Sequence, residues 1–315
     1  MFQPWTADGI NARDDDRSTK VAGVRYLAVA GCPVAWLPPR RVVGVDFSGA
    51  ADAGEKIWLA DGRVTDEALR VERCEPAAER FDCSGDREPT LSALREFLGN
   101  AERTAIGIDA SFGLPATIVT QLFQAETWRE SLDIVASRFD GPEALSEACM
   151  TWARETSERT FLKRATDEIT GASSPYHWLV RHQTYYALVG LLEPLVAGGN
   201  VAVVPQRMVP DDPALPRLLE VYPATTLGRL GLHRERYKEE ATAARERRRE
   251  NLEGLKAAGL VIPPGLEDAL VMEAGGHALD AVVAAYAVHG AIRDPDAVTP
   301  GRLDESTRLE GHIFA

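Results

Sequence analysis

The chain lacks internal repeats and low-complexity tracts, and no apolar run in it is long enough to span a bilayer. Cysteine is scarce: Cys32, Cys74, Cys83 and Cys149 are all there is, and no two form a C-x-x-C pair. That excludes the common zinc and thiol-redox motifs and suits a reducing cytoplasm, the expected location. Positive charge is also short, with 35 Lys and Arg against 48 Asp and Glu, a formal net charge of −13. A protein that coats nucleic acid with its whole surface is excluded; a local basic groove is not. Val29-Ala30-Gly31-Cys32 has the form of a lipoprotein cleavage box. The apolar run before it, Tyr26 to Ala30, is shorter than a signal core of about 7–15 residues, and Pro33 follows the cysteine directly. No association with a membrane is expected.

What remains is an ordinary core-forming composition, 45% hydrophobic and 26% charged over 315 residues. Residues 1–40 are polar at their start and aperiodic, and read as a disordered or loosely packed N-terminal extension. Residues 41–315 read as a single α/β domain. Arg41 to Phe47 is a short β-branched run bounded by Pro38-Pro39 and Ser48-Gly49, the pattern of a buried strand. Lys56 to Val64 reads as a hairpin turning at Asp61-Gly62, and Leu69 to Cys74 as a third strand. A helix follows over Thr90 to Leu98 with Thr90 as N-cap, then a strand from Thr104 to Asp109. Residues 116–195 are mostly helical and too long for a simple crossover, so a helical insertion is expected. Asn200 to Pro205 and Leu218 to Tyr222 suggest two more strands. Tyr237 to Ala258 suggests a highly charged helix, and Gly276 to Arg293 a helix rich in alanine and valine.

Four acids stand in apolar surroundings. Asp46 closes Val42-Val43-Gly44-Val45, and Asp109 closes Ala105-Ile106-Gly107-Ile108. Glu220 lies between Leu218-Leu219 and Val221-Tyr222-Pro223, and Asp280 lies within His277-Ala278-Leu279-Asp280-Ala281-Val282. A carboxylate in such a context must be paired, neutralised or bound to a metal. If the first two strands are parallel neighbours, Asp46 and Asp109 meet at one end of the sheet, where α/β proteins bind ligands. The spacing of three puts His277 and Asp280 on one face of a helix. The bland alternatives are a turn-forming Asp46, a salt-bridged Glu220 and a satisfied helix acid at Asp280.

Together these segments resemble the domain of unknown function 429 family, whose members are regarded as RNase H-like nucleases. The resemblance rests on Gly44-Val45-Asp46-Phe47-Ser48-Gly49, Ile108-Asp109-Ala110-Ser111-Phe112-Gly113-Leu114-Pro115, Lys163-Arg164-Ala165-Thr166-Asp167, Glu220-Val221-Tyr222-Pro223, His277-Ala278-Leu279-Asp280-Ala281 and Glu310-Gly311-His312-Ile313. It implies an RNase H-like mixed sheet flanked by helices: three leading strands, a helix, then parallel strands. It also implies an acidic site with two Mg²⁺ or Mn²⁺ ions and hydrolysis of DNA or RNA. Asp46, Asp109 and Asp280 are then the metal ligands, Glu220 a further ligand or water-orienting group, and His277 a base or phosphate contact. Arg164, Arg181, Arg245, Arg248 and Arg249 are the candidate nucleic-acid contacts; Tyr176 and Trp178 could stack on bases, although core packing is the simpler reading for Trp178. Interleaved glutamates make a self-paired, solvated helix the competing reading for the arginines of the charged segment. An actin-like phosphotransferase or ATPase, with Gly275-Gly276 as a phosphate loop, and an inactive binding module are the alternatives.

Overall fold

A computed structural model describes residues 39–65, 68–209, 212–294 and 305–315, the side chain of Glu305 excepted. Apart from Pro39 and Arg40, the expected N-terminal extension lies outside the described residues, as does the Val29–Cys32 box. The strands are β1 (Arg41–Asp46), β2 (Trp58–Val64), β3 (Leu69–Pro76), β4 (Thr104–Asp109), β5 (Ala202–Val204), β6 (Arg217–Val221), β7 (Leu260–Val261) and β8 (Ile313–Phe314). They form one mixed sheet in the order β5-β6-β4-β1-β2-β3-β7, with β8 beside β6. β1, β2 and β3 are an antiparallel meander, whereas β4 runs parallel to β1, β6 to β4 and β5 to β6.

Alternation along the strands sorts the core into two layers. On one face Val43, Val45, Ile106, Ile108 and Leu218 pack with Leu91, Leu94 and Leu98 of the Arg87–Gly99 helix. The same cluster takes in Leu132, Leu145 and Leu188 from the 116–195 block. That block is helical, as expected, but its apolar side chains complete the cover of the sheet and share its core. On the other face Val42, Ala105 and Leu219 meet Leu252 and Leu255 of the Thr242–Ala257 helix and Ala281, Ala284 and Ala285 of the His277–Arg293 helix. The result is a sheet flanked by helices on both sides, an α/β architecture.

The His277–Arg293 helix lies unusually close to the sheet. Gly44 and Gly107 are partners across β1 and β4. A Cβ on Gly44 would stand 1.9 Å from Ala281 O and 2.3 Å from Ala285 N; one on Gly107 would stand 2.8 Å from Ala284 O. The two glycines therefore make a groove that receives the helix backbone, and the small Ala281, Ala284 and Ala285 let it settle there.

Three local expectations are corrected. Asp61-Gly62 is not a hairpin turn: Trp58–Val64 is one strand, with a bulge between Asp61 and Gly62. The Asp61 carboxylate is held by Arg80 at 2.6 Å, and Thr65 N donates to Ala68 O where the chain reverses. The first long helix starts at Arg87 with Asp86 at its N-cap, so Thr90 is a buried residue inside it. The charged helix starts at Thr242, which leaves Tyr237 and Lys238 in the segment before it.

Gly44→Val should force helix and sheet apart, because the atoms a Cβ would meet are backbone. The expected loss is on the order of 3 kcal/mol in a urea titration, with no such loss for Val at Gly265, where a Cβ meets open space.

Candidate metal centre

The groove fixes what stands above it. Asp46 and Asp109 each follow a groove glycine by two residues, so both side chains point to the helix side of the sheet. They are also direct partners in the β1–β4 register. Gln183 clasps the two strand ends, donating from Nε2 to Phe47 O at 2.9 Å and to Asp109 O at 2.6 Å. The helix contributes His277 and Asp280 from its first turn. The outcome is that carboxylate oxygens of Asp46, Asp109 and Asp280 lie within 4.8 Å of one another.

Each acid meets a different environment. His277 Nδ1 lies 2.7 Å from Asp46 Oδ2. Tyr237 OH donates to Asp280 Oδ1 at 2.7 Å, and the ammonium of Lys238 pairs with Asp280 Oδ2. No protein donor among the described residues reaches the Asp109 carboxylate. Asp46 is held above the usual carboxylate range, mainly by burial, with the His277 hydrogen bond opposing and Asp280 adding repulsion. Asp109 is pushed well above that range, by burial first and then by the charge of Asp46. The hydrogen bond to Asp46 raises the His277 imidazole, against the effect of burial. Burial works against the charge on Lys238, but Asp280, Asp46 and Asp109 together outweigh it and raise the ammonium's pKa.

Glu220 does not join the three, which corrects its assignment to the site. Its register partner is Ile108, one residue short of Asp109, so it projects to the opposite face of the sheet. There both oxygens are occupied: Oε2 accepts from Phe112 N at 2.9 Å and Arg164 Nη1 at 2.7 Å, and Oε1 from Arg164 Nη2 at 2.5 Å. Arg164 is fully buried and also forks onto Asp167, so it is not a nucleic-acid contact. Glu310 joins this network, accepting from Ala116 N and Ala165 N and offering its backbone oxygen to Arg164. The Arg164, Glu220 and Glu310 motifs thus tie the helical block to β6 and the C-terminal segment.

Arg248 is the second correction among the proposed contacts. It is 1% exposed and donates to the carbonyls of Val271, Tyr237, Glu239 and Ala274. Arg249 is exposed and paired with Glu246, while Arg245 is half-buried. The three therefore do not form a common phosphate-gripping face. Arg181 is half-buried and pairs with Glu143 at 3.0 Å. Tyr176 is buried, its hydroxyl accepting from Leu162 N, whereas Trp178 is 61% exposed, the reverse of the simpler sequence reading. Tyr237, Lys238 and Gln183 are not among the residues that the sequence assigns to the acidic cluster; a Tyr-Lys pair before a charged helix carries no signal of a place there.

Residues 195–305 match a family model. Its description is Protein of unknown function (DUF429). The match bears out the family resemblance and covers β6, Tyr237, Lys238, His277 and Asp280, but neither Asp46 nor Asp109. No curated protein and no solved structure matches the chain. Among the described residues no helix is long and apolar enough to cross a membrane.

Two measurements test this description. Arg164→Met would strand Glu220 and Asp167 as buried, unpaired charges, so it should cost about 3–5 kcal/mol in chemical denaturation; a change in nucleic-acid affinity at unchanged stability would restore Arg164 as a contact. The second concerns pH. A carboxyl whose folded pKa lies above its unfolded value lowers stability as pH rises through that interval. In EDTA the protein should lose stability as pH rises from the ordinary carboxylate range through the raised pKa of Asp109. Asp109→Asn removes this loss, so its Tm in EDTA should exceed wild type by a few degrees near pH 7 and converge on it in acid. An equal Tm near pH 7 would show that the Asp109 charge is already compensated.

Proposed function

We propose that the chain is a divalent-cation-dependent hydrolase of nucleic-acid phosphodiester bonds, built on an RNase H-like sheet. The observation that carries this reading is the convergence of Asp46, Asp109 and Asp280 from two parallel strand ends and one helix. All three offer hard carboxylate oxygens, and that of Asp109 has no protein donor among the described residues, a donor set that fits Mg²⁺ or Mn²⁺. The meander β1-β2-β3 followed by a helix and the parallel strands β4 and β6 supports the fold reading, because the family resemblance implies that order.

Asp46, its register partner Asp109 and Asp280 would hold the cations, and Asp46 is the one that His277 orients. Bound cations would supply charge neutralisation at the phosphate and a water of lowered pKa. His277 holds the Asp46 carboxylate through Nδ1, so its part is to orient a ligand in the manner of an outer-shell partner. Its side chain remains 28% exposed, which leaves the ring open to substrate. Glu220 supports the loop after β4 through Phe112 N and takes no part in the chemistry.

Substrate contact falls to the segment that leads into Gln183. Trp178 offers an exposed ring on which a base can stack, and Arg181 lies two residues before Gln183. The phosphate-loop alternative has less support: Gly276 has φ +74 and its Cβ position stands 3.0 Å from Lys238 Cγ, so this glycine makes room for the Tyr237–Lys238 segment.

The test is Mn²⁺-dependent cleavage of single-stranded, duplex and branched DNA and RNA, with Asp46→Asn alongside. Wild type should cleave at least one substrate and the variant none, and Mg²⁺ should raise the Tm of wild type only. Cleavage by Asp46→Asn at the wild-type rate would remove the carboxylate cluster from the reaction.

A further inference from the structure

Lys238 is the one cation from a side chain other than histidine that the described residues place on the cluster. Its ammonium pairs with Asp280 Oδ2, and its charge is felt by Asp46 and Asp109 as well. Asp280 is fully buried, whereas the Lys238 side chain is 47% exposed, so the lysine enters from the open side of the site. The chain around it is anchored. Tyr237 is buried and bonded to Asp280 Oδ1, and Arg248 donates to the carbonyls of Tyr237 and Glu239, the residues on either side of Lys238. The backbone is thus pinned at both neighbours, and only the four-carbon stem of the lysine is free to swing.

We propose that Lys238 is the internal counter-cation of this cluster, which a divalent ion must displace from Asp280 to bind. This rests on the cation-dependent reading above and deepens it. Three carboxylates crowded within 4.8 Å repel one another. The ammonium reduces that repulsion and keeps the helix seated on the sheet. Its presence has a consequence for affinity: an arriving Mg²⁺ or Mn²⁺ competes with a tethered positive charge for the same oxygen, and like charges held that close oppose each other strongly. Arg248 is then a positioning residue, since it holds the segment from which the lysine reaches.

The experiment is Mn²⁺ binding by wild type, Lys238→Met, Lys238→Arg and Asp46→Asn, followed by loss of the free Mn²⁺ signal in electron paramagnetic resonance, with Tm in EDTA measured for each. Lys238→Met should bind Mn²⁺ at least about tenfold more tightly than wild type, and its Tm in EDTA should fall. Lys238→Arg should stay near wild type in both, because the charge is retained. Binding by Lys238→Met but not by wild type would be the same result in its extreme form. If wild type binds Mn²⁺ in a manner lost in Asp46→Asn, and Lys238→Met binds equally or more weakly, the counter-cation role is overturned while the metal site stands. If neither wild type nor Lys238→Met binds, both readings fall.

Discussion

The structure depends on a contact with no side chain on one of its surfaces: the backbone of the His277–Arg293 helix against Gly44 and Gly107. Because the glycines are register partners, the helix meets two parallel strands at one level. Because Asp46 and Asp109 follow them by two residues, the same contact sets the height at which the first helical turn passes the strand ends. An acid on that turn then has to meet the two strand acids. The close approach that completes the core on this face is therefore also what assembles the carboxylate cluster, and packing and site cannot be altered independently.

Much of this was legible in the sequence because each strand announces its own end. Apolar β-branched runs that stop at an aspartate identify β1 and β4, and the His-x-x-Asp spacing places two polar groups on one turn of an otherwise apolar helix. Register was not legible. Glu220 has the same local pattern as Asp46 and Asp109, an acid after apolar residues, but it pairs with Ile108. A shift of one residue sends a strand side chain to the opposite face, and nothing within Leu218–Pro223 records that shift. The Asp61-Gly62 pair misleads for a related reason: a turn dipeptide also suits a bulge, and the Arg80 ion pair that favours the bulge comes from a helix nineteen residues later.

The buried arginines show a second limit. Arg164 and Arg248 lie in sequence contexts that look solvated, one next to Lys163 and the other within Arg245-Glu246-Arg247-Arg248-Arg249. Both are almost wholly enclosed, because each finds a complete set of acceptors: carboxylates for Arg164 and backbone carbonyls for Arg248. A guanidinium, with five donors in a rigid fork, can tie together segments distant in sequence. Arg164 joins the helical block to β6 and the Glu310 turn; Arg248 joins the Tyr237–Glu239 segment to the region before His277. Composition and charge patterning register the charge of such residues but not the acceptors that enclose it.

Those two arginines act on opposite sides of the sheet and yet bear on one site. Through Glu220 and Phe112, Arg164 steadies the loop that leaves Asp109. Through Tyr237 and Glu239, Arg248 steadies the segment that reaches Asp280. The cluster between them is unevenly satisfied: Asp46 has a histidine, Asp280 has a tyrosine and a lysine, and Asp109 has no protein donor among the described residues. Full satisfaction of all three by protein groups would stabilise the fold and leave nothing for a ligand to gain. A cluster with no internal compensation would tend to neutralise itself by protonation, since burial already holds Asp46 and Asp109 above the usual carboxylate range. The observed arrangement lies between these limits. It gives two of the acids protein partners and leaves the third without one, an arrangement that could hold a metal ion.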